Sequence, residues 1–452
     1  MTQEIKFTEK KIFFHYNLSM KKTNLLSPDK TEIIPVLSYM EEYFLLKEGY
    51  HRLEKNYFAG VNLKKIYYKC SRKFRIIINL ILKSNFAFET PKQKDIIIYD
   101  CSHTDQLLKL VPKNSYEIIS TRVDRIKKIY ISKNIITFII FNFFTRSLKQ
   151  NYIAALVKII SPKVVITNIL NSPDFQITAK IFENSKIKFL AVQDVDLTGS
   201  DYLQETRLNK IFFIQELLCF SSYDKELFNK SKCNIKKFAE VGSLKSSLAN
   251  EHIKINKINI NPEKYDICLI SEAYTSGDFD HVENFGEAPG IIAEYTHRLC
   301  KQENLNLIFS GKSILGDIHS DYEIYYYKEF LKKYDFKISQ VKRGELGTHF
   351  NMMQSKMIIG HCSTALREAF SFEKKVFVYN YTGQPDAELF PVDGLCLLKK
   401  SSYEEFKDRV LKILLMTKKE YQDGLSKKTS FVMNSKIDAA SFTRNRLKEI
   451  VE

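Results

Sequence analysis

The chain predicts an α/β fold of two facing, doubly wound Rossmann-like domains preceded by a helical extension, and three observations point there. From Asp95 onward, short apolar runs alternate with longer stretches of helical period. That alternation lapses over residues 246–264 and then restarts at Tyr265. Short β-rich runs separated by helices favour a parallel sheet with crossover connections.

In the first half, taken as 91–245, the strand-like runs are DIIIYD (95–100), YEIIS (116–120), KIYIS (128–132), VVITN (164–168), IKFLAVQ (187–193), IFFIQ (211–215) and KKFAEVG (236–242). Helical patterns lie between them over 135–160, 173–184 and 223–231. The first of these stops at Ser161-Pro162, since proline lacks the amide a continuing helix requires. Residues 246–264 carry little apolar periodicity and read as a linker. The second half, 265–425, supplies YDICLIS (265–271), LNLIFS (305–310), FKISQ (336–340), MIIGH (357–361) and KVFVYN (375–380). Helices are expected over 287–303, 320–333, 363–372 and 403–415, with a closing C-terminal helix inside 426–452. Residues 1–90 read as a helical or irregular extension of mixed aromatic and basic character. Ligands on paired sheets of this kind sit at the carboxyl ends of the strands and in the cleft between the domains.

The formal charge is +16, from 69 Lys and Arg against 53 Asp and Glu. Such a balance draws phosphorylated small molecules, anionic membrane surfaces or nucleic acid. The basic residues are spread along the chain and accompany no nucleic-acid motif, so nucleic acid is set aside. The eight cysteines form no C-x-x-C pair, and the N-terminus is too polar for a signal peptide; reduced thiols and a cytoplasmic location are expected. The most apolar stretch, IITFIIFNFF (135–144), covers ten residues, short of the about 20 a spanning helix needs. It reads as a buried helix, with a helix lying in a membrane interface as the alternative.

Chemistry concentrates in SKMIIGHCSTALREAF (355–370). A buried strand runs into Gly360, His361 and Cys362, and a helix starts at once, with Ser363 at its N-cap and Thr364 behind it. Amides and hydroxyls at such a turn suit a phosphate, and Glu368, one turn on, suits ribose or sugar hydroxyls. An ordinary capped helix has the same pattern. In AVQDVDLTGSDYL (191–203), Asp194, Asp196 and Asp201 crowd a loop at a strand end, where one carboxylate can take a proton from an acceptor hydroxyl. A solvated Asp-Thr-Gly-Ser loop reads the same way. A magnesium site there would need a second carboxylate cluster, so no metal is assigned. Gly242-Ser243 ends the last strand of the first half, Lys312 follows LNLIFS, and the acidic loop 271–290 is long enough to cover a cleft.

Three segments, SKMIIGHCSTALREAFSFEKKVFVYNYTG (355–383), EVGSLKSS (240–247) and FLAVQDVDL (189–197), resemble GT-B-type glycosyltransferases. The likeness is to bacterial surface carbohydrate biosynthesis proteins for capsule and lipopolysaccharide, distantly related to capsule Kdo transferases and to the glycerophosphotransferases of teichoic acid synthesis. It spans roughly 95–425 and rests on order and spacing. Two departures stand out. Gln193 is followed by Asp194-Val195 where relatives carry Gln-His-Gly, and Gly311-Lys312-Ser313 replaces a basic or His-Pro element.

The resemblance implies sugar transfer from a nucleotide-activated donor, with a CMP-linked acidic sugar slightly favoured, to a glycan or glycolipid acceptor, and the basic surface would help the chain sit near anionic lipid carriers at the inner membrane face. The likeness implies donor binding by Gly242, Ser243, Lys312, His361, Ser363, Thr364 and Glu368, a base at Asp194 or Asp196, and no cofactor or active-site metal. The alternatives are a nucleotide-sugar epimerase of the same architecture and a non-catalytic scaffold in polysaccharide assembly.

Overall fold

A computed structural model describes residues 84–452 apart from 101–103, 114, 121–127, 197–211, 232, 274–285, 316–317, 343–344, 386–387, 389 and 428. The expected extension therefore lies outside the described residues up to position 83, as do Asp201 and most of the loop 271–290.

The strands in chain order are β1 (Asn85–Ala87), β2 (Ile96–Tyr99), β3 (Tyr116–Ile119), β4 (Lys128–Tyr130), β5 (Val164–Thr167), β6 (Lys188–Val192), β7 (Phe213–Cys219) and β8 (Asn234–Glu240). There follow β9 (Tyr265–Ile270), β10 (Leu307–Ile314), β11 (Ile338–Val341), β12 (Ser355–Gly360), β13 (Lys375–Asn380) and β14 (Leu397–Lys399). They build two six-stranded sheets, ordered β3-β2-β5-β6-β7-β8 and β11-β10-β9-β12-β13-β14, and every pairing between described strands is parallel. The fold is thus the pair of doubly wound α/β domains that the alternation predicts.

Burial on both faces explains the unbroken apolar runs. In β2, Ile96 and Ile98 enter one core layer while Ile97 and Tyr99 enter the layer opposite. Leu190 and Val192 of β6 divide from Phe189 and Ala191 in the same way. Helices Leu148–Ile160 and Pro173–Ile181 supply one covering layer, and helices Leu244–Asn256 and Ala439–Val451 the other. The C-terminal helix therefore belongs to the first domain's core.

Four expectations are corrected. KIYIS contributes β4, which pairs with β1 in a separate two-stranded parallel sheet. The helical pattern 135–160 is two helices, Lys133–Phe141 and Leu148–Ile160. They part where polar side chains claim the backbone: Thr145 Oγ1 and Asn151 Nδ2 both donate to the Asn142 carbonyl, and Ser147 with Gln150 forms a capping box that opens the second helix. The apolar stretch 135–144 is not buried as a whole, since Ile135 is enclosed but Ile136, Ile140, Phe141, Phe143 and Phe144 are exposed.

The fourth correction concerns the linker, whose first half is the helix Leu244–Asn256, capped by Ser243 and closed by a left-handed Lys257. Its inner face mixes Leu244, Leu248 and Ala249 with buried Ser246 and Ser247. Ser247 Oγ donates to Asp438 Oδ1 at 2.6 Å and accepts from Ala440 N at 3.0 Å, so a hydrogen-bonded polar side chain stands where periodicity expects an apolar one.

Among the described residues no helix is long and apolar enough to cross a membrane.

Gly242 shows how tightly the C-terminal segment is seated. Its φ is +83°, and a Cβ there would lie 2.2 Å from the Asn434 carbonyl oxygen. Asn434 bridges the same turn, its amide donating to Phe220 O and its side chain to Glu240 O. Gly242→Ala is expected to cost about 2 kcal/mol or more in urea unfolding, because backbone strain and a clash with immobile backbone add.

Candidate functional site

The carboxyl ends of both sheets meet, and the residues that follow β6, β7 and β8 touch those that follow β12. Arg367, on the helix Thr364–Ala369, is the hub, with no solvent exposure. Its Nη1 donates to Asp196 Oδ2 (3.2 Å) and Asp224 Oδ1 (2.9 Å), its Nη2 to Ser221 Oγ (3.1 Å) and Asp224 Oδ2, and its Nε to the Val432 carbonyl (2.6 Å). All five guanidinium donors are engaged, as a buried charge requires. Burial opposes the charge, but Asp224 and Asp196 outweigh it and hold the guanidinium above its ordinary value. The Phe220 ring lies 5.0 Å from the guanidinium carbon.

Gln193 completes this network from the first domain. Its Oε1 accepts from Phe220 N at 3.0 Å and its Nε2 donates to Asp224 Oδ1 at 2.8 Å, joining the ends of β6 and β7. Asp196 is sealed within it: its side chain has no exposure, and its amide donates to Thr364 Oγ1 at 2.9 Å.

A second buried set lies alongside. Asp194 Oδ1 pairs with Lys245 Nζ at 2.9 Å, and the same ammonium donates to the Asp194 carbonyl at 3.3 Å. Burial disfavours the Lys245 charge, yet Asp194 and Glu368 together hold its pKa above the ordinary value. Glu368 accepts from Ser243 Oγ at 2.6 Å and lies 3.1 Å from His349 Nε2. Burial would raise this carboxyl, but His349, Lys245 and the Ser243 hydroxyl bring it below the usual range. Ser243 is thus both the cap of its own helix and a contact to the second domain.

The third set is confined to the second domain. Glu272, just past β9, accepts from His361 N (3.2 Å) and Cys362 N (2.5 Å), and it also hydrogen-bonds the Ser363 hydroxyl. Burial pushes its pKa up to about 7 against these donors and the nearby Lys312 ammonium. Among the described residues its Oε1 has no hydrogen-bond partner. His361 Nδ1 faces the Tyr379 carbonyl at 3.1 Å, and burial lowers the imidazole to about 4, so the ring is neutral. Lys312 N donates to Glu323 Oε1 at 2.8 Å, fixing the backbone at the end of β10.

The structure thus joins Asp196 to Thr364 and Ser243 to Glu368 across the domains, brings Lys245 between Asp194 and Glu368, and sets Lys312 and Ser363 around Glu272. Gly242 instead faces the C-terminal segment. Sequence reasoning passed over Lys245, Glu272, His349, Arg367 and Asp224. Lys245 and Arg367 lie inside segments singled out for other residues, and the presence of three nearby Asp was the available signal for a buried cation. Glu272 lies at the start of the acidic loop 271–290, which was singled out only as a whole, and His349 and Asp224 carry no local pattern.

No family model matches the chain, and no curated protein does. Solved structures do. A UDP-GlcNAc 2-epimerase from Neisseria meningitidis bound to UDP-GlcNAc is similar over 78% of this chain and 99% of its own, with 15% identity and a TM-score of 0.49. The wall teichoic acid polymerase TagF is similar over 80% of this chain and 90% of its own, at 10% identity and a TM-score of 0.49. HepE from Anabaena, in complex with UDP and glucose, is similar over 79% and 99%, at 9% identity and a TM-score of 0.46.

Glu272 generates a pH-dependent prediction. Its pKa of about 7 in the fold, against an ordinary 4.5, means that the folded chain binds the proton more tightly than the unfolded one. The stabilisation this supplies is complete below pH about 4.5 and is lost as pH rises through about 7. Glu272→Gln keeps an acceptor for the two amides and removes the charge. It is expected to exceed the parent in stability by about 1–3 kcal/mol at pH 8 and to match it near pH 5, as read by urea unfolding.

Proposed function

We propose that the chain transfers a sugar from a nucleotide-activated donor to a glycan or glycolipid acceptor in surface polysaccharide assembly. One observation carries this reading. The three segments that resemble GT-B glycosyltransferases, 189–197, 240–247 and 355–383, lie far apart in the chain and meet at the carboxyl ends of the strands. That is where ligands of doubly wound sheets bind.

In this proposal the second domain takes the donor. Lys312 meets the charge on the departing nucleotide, and the turn His361–Thr364 with Ser363 lines the phosphate side. Ser243 and Glu368 lie on the sugar or ribose side, and the Gly242 turn holds Ser243 in place. As the bond from the anomeric carbon to the phosphate oxygen breaks, that oxygen keeps the electron pair. The acceptor oxygen bonds to the same carbon, and its proton passes to a carboxylate. Both carboxylates of the expected pair are buried and ion-paired, Asp194 with Lys245 and Asp196 with Arg367, and the base is one of the two. No cofactor enters this scheme. A CMP-linked acidic sugar is the donor class we favour.

A second reading is a nucleotide-sugar epimerase, which needs several carboxylates and a histidine around one sugar. In its favour, Asp194, Lys245, Glu368 and His349 form one buried series.

Thermal unfolding with CMP, CDP, UDP, GDP and ADP tests both readings. A ligand held only by the folded chain at 100 times its Kd stabilises by about 2.7 kcal/mol. One nucleotide is expected to raise Tm, and Lys312→Ala is expected to abolish the rise. Absence of any shift would contradict nucleotide binding. With the matching nucleotide-sugar and no acceptor, solvent deuterium entering the sugar would assign the epimerase; nucleotide release only with an acceptor assigns the transferase.

A further inference from the structure

We infer that Glu272 binds the donor phosphate as a carboxylic acid, its Oε1 hydroxyl donating to a phosphate oxygen, so that each nucleotide bound brings one proton with it. The inference rests on the reading of the second domain as the nucleotide side, and it adds a residue which that reading does not use. Glu272 stands just past β9, which lies between β10 and β12 in the sheet, and it is 1% exposed. Its two oxygens are unlike. Oε2 accepts from both His361 N (3.2 Å) and Cys362 N (2.5 Å). Oε1 has no hydrogen-bond partner among the described residues. A buried polar atom in that position calls for a partner, and a phosphate oxygen is an acceptor that a carboxylic acid satisfies.

Charge decides which form of the carboxyl takes part. Lys312 and the Ser363 hydroxyl, both assigned to the phosphate, act on this same carboxyl. An ionised Glu272 would set two anions side by side away from water, whereas the protonated form removes the repulsion and supplies a donor. Two amides already on Oε2 make Oε1 the better place for the proton. The surrounding elements each bring few titratable groups. The end of β10 brings Lys312, and the turn after β12 brings His361 and Cys362. The helix Ile318–Phe330 brings Tyr327, whose hydroxyl accepts from Glu272 N at 2.9 Å, and Glu323. Glu323 is committed to the Ser271 hydroxyl and to the amides of Lys312 and Ser313. The His361 ring is neutral, and burial holds the Tyr327 hydroxyl well above its ordinary range, so neither changes charge near neutrality. Glu272 does, because burial outweighs its donors and places its pKa at about 7.

Calorimetric titration of the full chain tests the inference, with one phosphodiester probe for each nucleotide: CMP-N-acetylneuraminate, CDP-glucose, UDP-GlcNAc, GDP-mannose and ADP-glucose. The phosphates of these probes keep the same charge across the range used. The probe that binds is expected to lose about tenfold in affinity between about pH 6 and about pH 8. Buffers of different ionisation enthalpy are expected to show about 0.9 proton taken up per probe at the higher pH and about 0.1 at the lower. Glu272→Gln, whose amide nitrogen donates as the hydroxyl does, is expected to bind equally at both and to take up no proton. Equal affinity of the parent at both pH values with no proton uptake overturns the inference and leaves the nucleotide reading standing. A pH dependence that persists in Glu272→Gln also overturns it, by placing the proton on another group. The proton count uses the parent alone, so it decides whether or not the variant folds. Binding of no probe at either pH contradicts the nucleotide reading and the inference with it.

Discussion

Arg367 carries a full charge into a place with no contact with solvent, and what surrounds it follows from that constraint. An unpaired guanidinium there would cost on the order of several kcal/mol, a large share of a domain's net stability, so each donor must find an acceptor. The acceptors come from three parts of the chain: Asp196 after β6, Ser221 and Asp224 after β7, and the Val432 carbonyl on the path to the C-terminal helix. A buried pair of this kind adds little stability over apolar packing, but it is directional and is costly to break. It therefore fixes how the strand ends of the two domains meet more than how strongly they adhere.

The neighbouring groups repeat that logic with more chemical freedom. Lys245 lies between Asp194 and Glu368, one from each domain, and Ser243 and His349 complete the contacts of Glu368. Glu272 differs, because burial outweighs its amide donors and one oxygen lacks a partner among the described residues. Perturbed carboxyls gathered at strand ends are what a site for acid–base chemistry contains, although structural networks perturb pKa values too. The charge pattern separates the two kinds: the Arg367 cluster is saturated, and the Glu272 side is not.

Much of the architecture was legible because parallel strands buried on both faces must be apolar at consecutive positions. DIIIYD, VVITN and YDICLIS declare β2, β5 and β9 for that reason. The helix Leu244–Asn256 was not legible, since Ser246 and Ser247 are polar residues on its buried face and the Ser247 hydroxyl is held there by hydrogen bonds to partners nearly two hundred residues away. The short strand β14 and the helix Gly347–Met353 were missed as well; seven residues or fewer give too few repeats for a period. The apolar stretch 135–144 misled in the opposite sense, because hydrophobicity alone does not say whether a face meets a core or stays exposed. Of the residues in the buried networks, Asp194, Asp196 and Glu368 were singled out from local pattern and Ser243 from the resemblance. Their partners Lys245, His349 and Arg367 become visible only when distant segments are brought together.

The measurement that bears most directly on this account is calorimetric unfolding of the parent chain and of Arg367→Met, a substitution that keeps much of the volume and removes the charge. If the buried guanidinium fixes the two domains against each other, the parent unfolds in one endotherm, and the variant separates into two with the earlier one shifted to lower temperature. Two endotherms in the parent, or a variant that keeps a single one at an unchanged Tm, would contradict the claim that this interaction organises the site.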